Sequence, residues 1–388
     1  MNTRWFTHIT AWVLALGLGA AVLEETTAAL IHASERTPGT VIRWWYPYFG
    51  GAASVRDSLT NIVAIDGGYQ HLLALRADGT VAVDDSWNIP PAGVNHVVAI
   101  AGGNQFSLAL KDDGTVVAWG VNDSGQTNVP AGLTNVVSIA AGYRHCMALK
   151  DDGTVTAWGW NVYGQTNVPE GLSHIRAIDA GTYHSLALTE SSTVVAWGYN
   201  NVGQTNVPPG LSNVTAIAAG GAHNLALRTD GTVVAWGYND KGQSDVPVGL
   251  SNVVAIAAKG WRSLVLTADQ NIEAWYQGIS GTGPEWFTNI VAIASTRDFN
   301  YALVVGQLPV GEPRLDVEPS PSGINIQITG FPRFWHDIEY CEDLREPVQW
   351  QVAKGWFSLT NSPVVWFDPA TNAPARLYRV GFQPLVPP

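Results

Sequence analysis

The stretch VVSIAAGYRHCMALKDDGTVTAWGWNVYGQTNVP, residues 136–169, decides how the rest of the chain is read. It opens on a short β-branched run, passes through HCMAL, and turns at Asp152-Gly153 into VTAWG. Asp-Gly between two such runs is a strong hairpin signal. The NVYG that follows is a tight turn, and Pro169 limits what comes after it to an edge strand or a loop. The unit therefore predicts three strands and a short fourth.

The unit recurs. Trp119-Gly120, Trp158-Gly159, Trp197-Gly198 and Trp236-Gly237 are evenly spaced, and Trp275-Tyr276 follows at the same interval. Asp78-Gly79, Asp113-Gly114 and Asp230-Gly231 repeat the hairpin turn, with Ser191-Ser192 and Asp269-Gln270 as looser copies. Strand pairs of the VAI-to-LAL kind begin at Val63, Val98, Val137, Arg176, Thr215, Val254 and Val291. The last pair stops after YALVV (301–305) without a third strand, while GTVIRWW (39–45) matches GTVVAWG and precedes the first VAI with no partner of its own. A period near 40 residues with four strands per unit marks a propeller blade. The expectation is all-β: a seven-bladed β-propeller over 38–305, closed by strands from both ends of the repeat region so that no sheet edge is left open.

With AAGxxHSLAL and DGTVVAWGxNxxGQ in several copies, the chain resembles the regulator of chromosome condensation repeat family, whose fold is a seven-bladed propeller. The GQTNVP ending is similar to that of secreted bacterial members, one of which inhibits β-lactamases. In that inhibitor the loop face contacts the enzyme, which by resemblance points to Tyr69, Tyr143, Arg144, Tyr183 and Trp261.

The residues give their own reading of that face. Identical positions in every copy are explained by packing: the repeated Trp fills the wedge between blades. His71, His145, His184 and His223 lie in different blades, too far apart to converge on a metal at about 2 Å, and are expected to be satisfied by neighbouring backbone carbonyls. If the first strand runs up and the second down, the two residues before each His and the loop after each Trp-Gly open on one face, opposite the Asp-Gly turns. There the copies diverge toward Tyr, Trp and Arg, types enriched at binding hot spots. The candidate partner-binding residues are Tyr69, Tyr143, Arg144, Trp160, Tyr163, Tyr183, Tyr199, Tyr238 and Trp261.

Composition narrows the partner. A formal charge of −12 and only 13% charged residues offer no basic patch for nucleic acid. The apolar run from Ile9 to Leu23, followed by Glu24 and Glu25, reads as a cleaved signal over residues 1–23 and places the protein outside the cell or in the periplasm or envelope. Cys146 and Cys341 read as small buried hydrophobes without a disulfide. No catalytic motif, metal loop or cofactor signature is present, so no enzyme activity and no cofactor are expected. A monomeric, secreted protein-binding propeller is the leading reading, with inhibition of an extracellular enzyme as one form it could take. A carbohydrate-binding propeller of the envelope and an enzyme of unfamiliar type are the alternatives.

After Val305 the repeat ends. Residues 306–323 are Pro/Gly-rich and read as a linker. INIQITG, WHDIEY, VQWQVA, VVWF and ARLYRVGF then alternate as half-buried strands, predicting a small β-sandwich over 324–383. Its DL…W…LYRV frame is similar to C-terminal modules of large secreted bacterial proteins.

Overall fold

The computed structural model describes residues 37–45, 53–56, 58–84, 88–276, 279–282, 289–297 and 299–305, and six strands between 314 and 382. The expected signal, 1–23, lies outside the described residues. Among those described, no helix is long and apolar enough to cross a membrane. The chain divides into two compact units.

In the first unit each VAI-to-LAL pair is an antiparallel hairpin. We number these repeats 1 to 7 in chain order. Their first and second strands are Ile62–Gly67 with Leu72–Arg76, Val97–Gly102 with Phe106–Lys111, Val136–Ala141 with His145–Lys150, Ile175–Ala180 with His184–Thr189, Val214–Ala219 with His223–Arg228, Val253–Lys259 with Arg262–Thr267, and Ile290–Ser295 with Phe299–Val305. Third strands follow in repeats 1 to 6: Val81–Val83, Val116–Gly120, Val155–Gly159, Val194–Gly198, Val233–Gly237 and Ile272–Tyr276. In repeat 7, Phe299–Val305 is hydrogen-bonded to the strand Gly39–Trp45, whose first residue also meets Ile62 of repeat 1.

The second strands are buried on both faces, as in HSLAL, where Ser185, Leu186, Ala187 and Leu188 are all at 0% exposure. What covers them comes from the neighbouring repeat. Phe106, Leu108 and Leu110 of repeat 2 cluster with Ala148 and Trp158 of repeat 3, and Leu186 and Leu188 of repeat 4 cluster with Ile217 and Trp236 of repeat 5. One repeat alone has no second layer against which to bury its central strand, so the core is a series of inter-repeat layers.

The repeated Trp is the main filler of each layer, 3–7% exposed from Trp119 to Trp275. Its indole is also fixed in direction. Nε1 of Trp158, Trp197, Trp236 and Trp275 donates to the backbone carbonyl of Gln126, Gln165, Gln204 and Gln243 in the preceding repeat, at 3.0–3.2 Å. Trp119 does the same to Asn88 at 2.8 Å.

The short fourth strand expected of every copy is a correction. Among the described residues, Ile279–Thr282 pairs with the third strand of repeat 6 and Ala53–Val55 with Gly39–Trp45. In repeats 2 to 5 the NxxGQTNVP segment is closed by its own side chains instead. Asn161 Oδ1 accepts Thr166 N (2.9 Å), Asn161 Nδ2 donates to Asn167 Oδ1 (2.7 Å), and Gln165 Oε1 accepts Tyr163 N (2.9 Å). The same contacts recur around Asn122, Asn200 and Asn239. A backbone satisfied by local Asn and Gln side chains is not available to a ladder.

At the opposite end the Asp-Gly turns form as expected, with φ of +74° to +77° at Gly79, Gly114, Gly153 and Gly231. In the looser copies Ser192 (φ 63°) and Gln270 (φ 67°) adopt the same left-handed conformation without being glycine.

The second unit contains Gln351–Ser358, Trp335–Cys341 and Leu377–Phe382 in one antiparallel sheet, and Arg314–Ser320, Gly323–Thr329 and Val364–Asp368 in another. Ile42–Trp44 pairs with Ala53–Val55. Arg314–Ser320 corrects the linker reading of 306–323, because it pairs along its whole length with Gly323–Thr329. Pro319 is accommodated because the strand is at the edge of its sheet.

Candidate functional site

Beneath the candidate face runs a polar seam that joins the repeats. Nε2 of His145 and His223 lies 3.1 and 2.9 Å from the hydroxyls of Ser185 and Ser263 in the next repeat, and that of His184 lies 2.6 Å from Asn224 Oδ1. His71 meets Ser107 Oγ at 3.0 Å. The partner is thus the side chain one position beyond the residue that fills the histidine position of the next repeat (Phe106, His184, His223 and Arg262), and for His184 it takes the place of the expected backbone carbonyl. Ser185, Asn224 and Ser263 donate onward to the carbonyls of Gln165, Gln204 and Gln243. Each histidine is therefore absorbed by its neighbour. Burial holds His145, His184 and His223 neutral, with pKa values lowered to about 3, about 4 and about 3. Among the described residues no group of three His, Cys, Asp or Glu side chains is placed to hold a metal.

Above the seam, the two variable segments of each repeat meet. Trp160 N donates to Arg144 O, Tyr199 N to Tyr183 O, Tyr238 N to Ala222 O and Val121 N to Gln105 O, at 2.8–2.9 Å. The loop after each third strand is thereby fixed beside the residues that precede the second strand.

The structure joins six of the nine candidates in one continuous cluster. Tyr69 meets Tyr143 edge-on at 5.3 Å between ring centroids, and Tyr143 meets Tyr183 at 5.8 Å. Tyr183 is the hub, with Trp160 at 5.0 Å, Tyr163 at 5.3 Å and Tyr199 at 6.1 Å. Tyr163 is also packed on Tyr199 at 4.5 Å. Burial among these rings raises the Tyr183 phenol above its usual range. Tyr238 and Trp261 form a separate pair at 5.2 Å. Arg144 is stacked at 5.7 Å over the Tyr143 ring and paired with Asp123 at 3.1 Å. The Gln126 amide, Ser124 hydroxyl and Arg144 charge together hold the Asp123 carboxyl below its usual range.

Four features were missed at the level of sequence. Arg297 lies over Tyr69 at 5.8 Å. Val162 (68% exposed) enlarges the apolar surface beside Tyr163 (41%). The third feature is a small cavity of about 10 Å³, open to solvent, lined by Tyr69, Tyr143, Asn104, Thr182, Lys259 and the glycine-rich ends of the first strands. The fourth is the charge at its base: Lys259 of repeat 6 donates from Nζ to Gly102 O (2.9 Å) in repeat 2 and Ala141 O (3.2 Å) in repeat 3.

Asp66 and Asp179 belong to the same surroundings. Asp66 Oδ2 accepts Gly102 N and Asp179 Oδ2 accepts Ala219 N, both at 2.7 Å, tying each to the next repeat. Burial raises both pKa values, that of Asp179 to about 6, against the opposing charge of Lys259. The sequence signal was available, because both Asp stand where the other copies carry Ala and Lys259 stands where repeats 1 to 5 carry Gly. In repeats 1 to 5 the Lys259 position is a glycine, and in repeats 3 to 5 a Cβ there would strike the ring three residues on, at 2.1–2.3 Å over His145, His184 and His223. In repeat 6 that residue is Arg262, and the space is open to a side chain.

These features define a repeat protein of packed three-stranded β units with a divergent aromatic loop face. The chain carries regulator of chromosome condensation (RCC1) repeats: residues 97–126, 136–165, 175–204 and 214–243 match that family's model. No curated protein sequence matches the chain significantly. Among solved structures, it is similar to a chain of Kap60 bound to yeast RCC1 (Prp20), with TM-score 0.58 and 20% identity over 76% of this chain and 97% of that one. Prp20p of Saccharomyces cerevisiae, described with its binding to Gsp1p and histones, gives TM-score 0.58 and 19% identity over 70% and 92%. The ectodomain of the Physcomitrella patens receptor kinase CR4 gives 0.52 and 24% over 66% and 74%. The shared feature is the RCC1-like propeller fold.

Proposed function

We propose that the protein is an exported, non-catalytic binding module, a seven-bladed propeller closed by strands from both ends of the repeat region and followed by a β-sandwich. Its aromatic loop face docks a partner protein. The observation that carries this reading is the contiguous cluster of Tyr69, Tyr143, Trp160, Tyr163, Tyr183 and Tyr199, built only from positions that the repeat leaves free to vary. Large, rigid rings supply contact area at little entropic cost. Edge-to-face packing within the cluster covers ring faces that a sugar would need for stacking, which favours a protein surface over a glycan. That relatives of this fold are described with protein partners, Kap60 for yeast RCC1 and Gsp1p and histones for Prp20p, supports the same reading. An inhibitor of an extracellular enzyme is one form such a module takes.

The test is affinity capture from culture medium with the full chain, alongside a Tyr163→Ala, Tyr183→Ala variant of unchanged melting temperature. A captured protein should bind the variant at least about thirtyfold more weakly, as loss of hot-spot residues worth about 2 kcal/mol or more implies. Equal capture by both chains would place the site elsewhere.

A further inference from the structure

The third strands of repeats 2 to 5 end their sheets: each is paired with its second strand and, among the described residues, with no other. In an antiparallel pair alternate residues turn their main-chain N–H and C=O toward the partner, and the rest turn them away. Lys150 N donates to Thr154 O and Trp160 N to Arg144 O, so Thr156 and Trp158 bond inward while the amide and carbonyl of Val155 and Ala157 face outward. The same phase in repeats 2, 4 and 5 puts Ala118, Ala196 and Ala235 in the equivalent place. Repeat 6 shows what such an edge accepts. There Ile279–Thr282 adds an antiparallel fourth strand, with Gly281 opposite Ala274, the alanine of the same position. Beneath that strand Ala274 is 4% exposed, whereas Ala118, Ala157, Ala196 and Ala235 are only half-buried.

We propose that the third strands of repeats 2 to 5 are strand-addition sites, where an extended segment of a partner protein pairs antiparallel with the outward main chain of Val155 to Ala157 and its three equivalents. An unpaired edge is a template for another strand, and main-chain bonds to it supply affinity. The chain's own occupant of this edge defines the chemistry of the segment: four residues, Ile279-Ser280-Gly281-Thr282, with a glycine opposite the alanine. A helix has its main-chain groups engaged internally and offers none to an edge, so the segment is extended. The window is short because each strand ends on a glycine with φ of +96° to +101°, at Gly120, Gly159, Gly198 and Gly237. These edges are separate from the aromatic loop face: one binds through main chain, the other through side chains.

Phage-displayed random peptides selected on the full chain test this. Hydrogen exchange at the amides of Ala118, Ala157, Ala196 and Ala235 is measured with and without each recovered peptide, and each peptide is remade with one or the other alternate set of its amides N-methylated. The expected result is exchange slowed about tenfold or more at one of these amides, and binding weakened about tenfold or more by N-methylation of one set and not the other. Ala157→Pro removes an outward donor and leaves the inner ladder intact, so a peptide that slows Ala157 should lose that site in this variant. If Ala157→Pro does not fold, the N-methylated peptides on the unaltered chain decide alone. Peptides that depend on Tyr163 and Tyr183 yet leave all four amides unchanged would overturn this inference and leave the aromatic face standing. Peptides that slow the amides equally in the Tyr163→Ala, Tyr183→Ala variant would support the edges and count against the face. Slowed exchange without peptide, together with a solution mass of two chains, would make the occupant a second copy and overturn the assignment to a partner. A selection in which no peptide slows any of the four amides would overturn it outright.

Discussion

Phe106 and Cys146 occupy, in adjacent repeats, the two positions that elsewhere hold a histidine and its polar partner. Both are fully buried and share one core cluster. Phe299 and Leu72 stand in the same relation between repeats 7 and 1, again in one cluster and again apolar on both sides. The seam thus has two chemistries, polar with polar or apolar with apolar, because a mixed pair would strand a buried hydrogen-bonding group.

Phe106→His alone is expected to destabilise the fold by about 1–3 kcal/mol, the penalty for an unsatisfied buried polar group. Adding Cys146→Ser supplies the missing acceptor, and the double variant should recover a coupling of about 0.5–3 kcal/mol. Urea unfolding of the four chains measures it. Strict additivity would show that the two positions do not communicate.

Stability should fall on acidification below about pH 6.5. The fold keeps His145, His184 and His223 neutral well below the ordinary histidine value, so the unfolded chain takes up protons first and stability is lost as pH falls from about 6.5 toward 3–4. Asp179, raised to about 6, works in the opposite sense: the fold holds its proton between about 3.8 and 6, so acidification there favours the folded state. Asp66 acts in the same direction as Asp179, so the observed slope is the histidine contribution less that of the two carboxylates. Replacing His223 with Phe and Ser263 with Cys should flatten the acid loss, while Asp179→Asn should steepen it. Melting temperatures between pH 4 and 8 read both slopes.

The hairpin turns predict opposite signs at equivalent sites. Gly231→Ala would put a Cβ 3.1 Å from Asn252 Cα at φ +76°, and should cost about 1–2 kcal/mol. Ser192→Gly relieves a left-handed serine and should gain up to about 1 kcal/mol. The Arg176 guanidinium that loses the Ser192 hydroxyl keeps the carbonyl of Val214. Denaturant midpoints that move in the same direction for both would contradict the backbone argument.

Trp197→Ala should cost about 3–5 kcal/mol, as large core truncations do. Trp197→Phe keeps most of the volume and removes one of two donors to Gln165 O, Ser185 Oγ remaining, and should cost about 0.5–1.5 kcal/mol. An unchanged melting temperature in Trp197→Ala would remove this residue from the core.

The repeat, its hairpins and its aromatic loop positions were legible in the sequence because each depends on local pattern: β-branched runs, Asp-Gly turns and a fixed interval between tryptophans. Where a residue's partner lies about 40 positions away, in the next repeat, local pattern carried less. His184 was expected to find a carbonyl and finds Asn224; GQTNVP was expected to form a strand and is closed by its own Asn and Gln side chains. Arg314–Ser320 reads as linker from the Pro and Gly around it, whereas it pairs with Gly323–Thr329.

Sequence by itself determined that Tyr69, Tyr143, Trp160, Tyr163, Tyr183 and Tyr199 differ from the scaffold. Only the tertiary structure decided that they touch, and that Lys259 lies at the base of a cavity beside two of them. The physical reason is that the sequence interval fixes each repeat internally, whereas the distance between side chains of different repeats is set by how the packed layers bring the loops together.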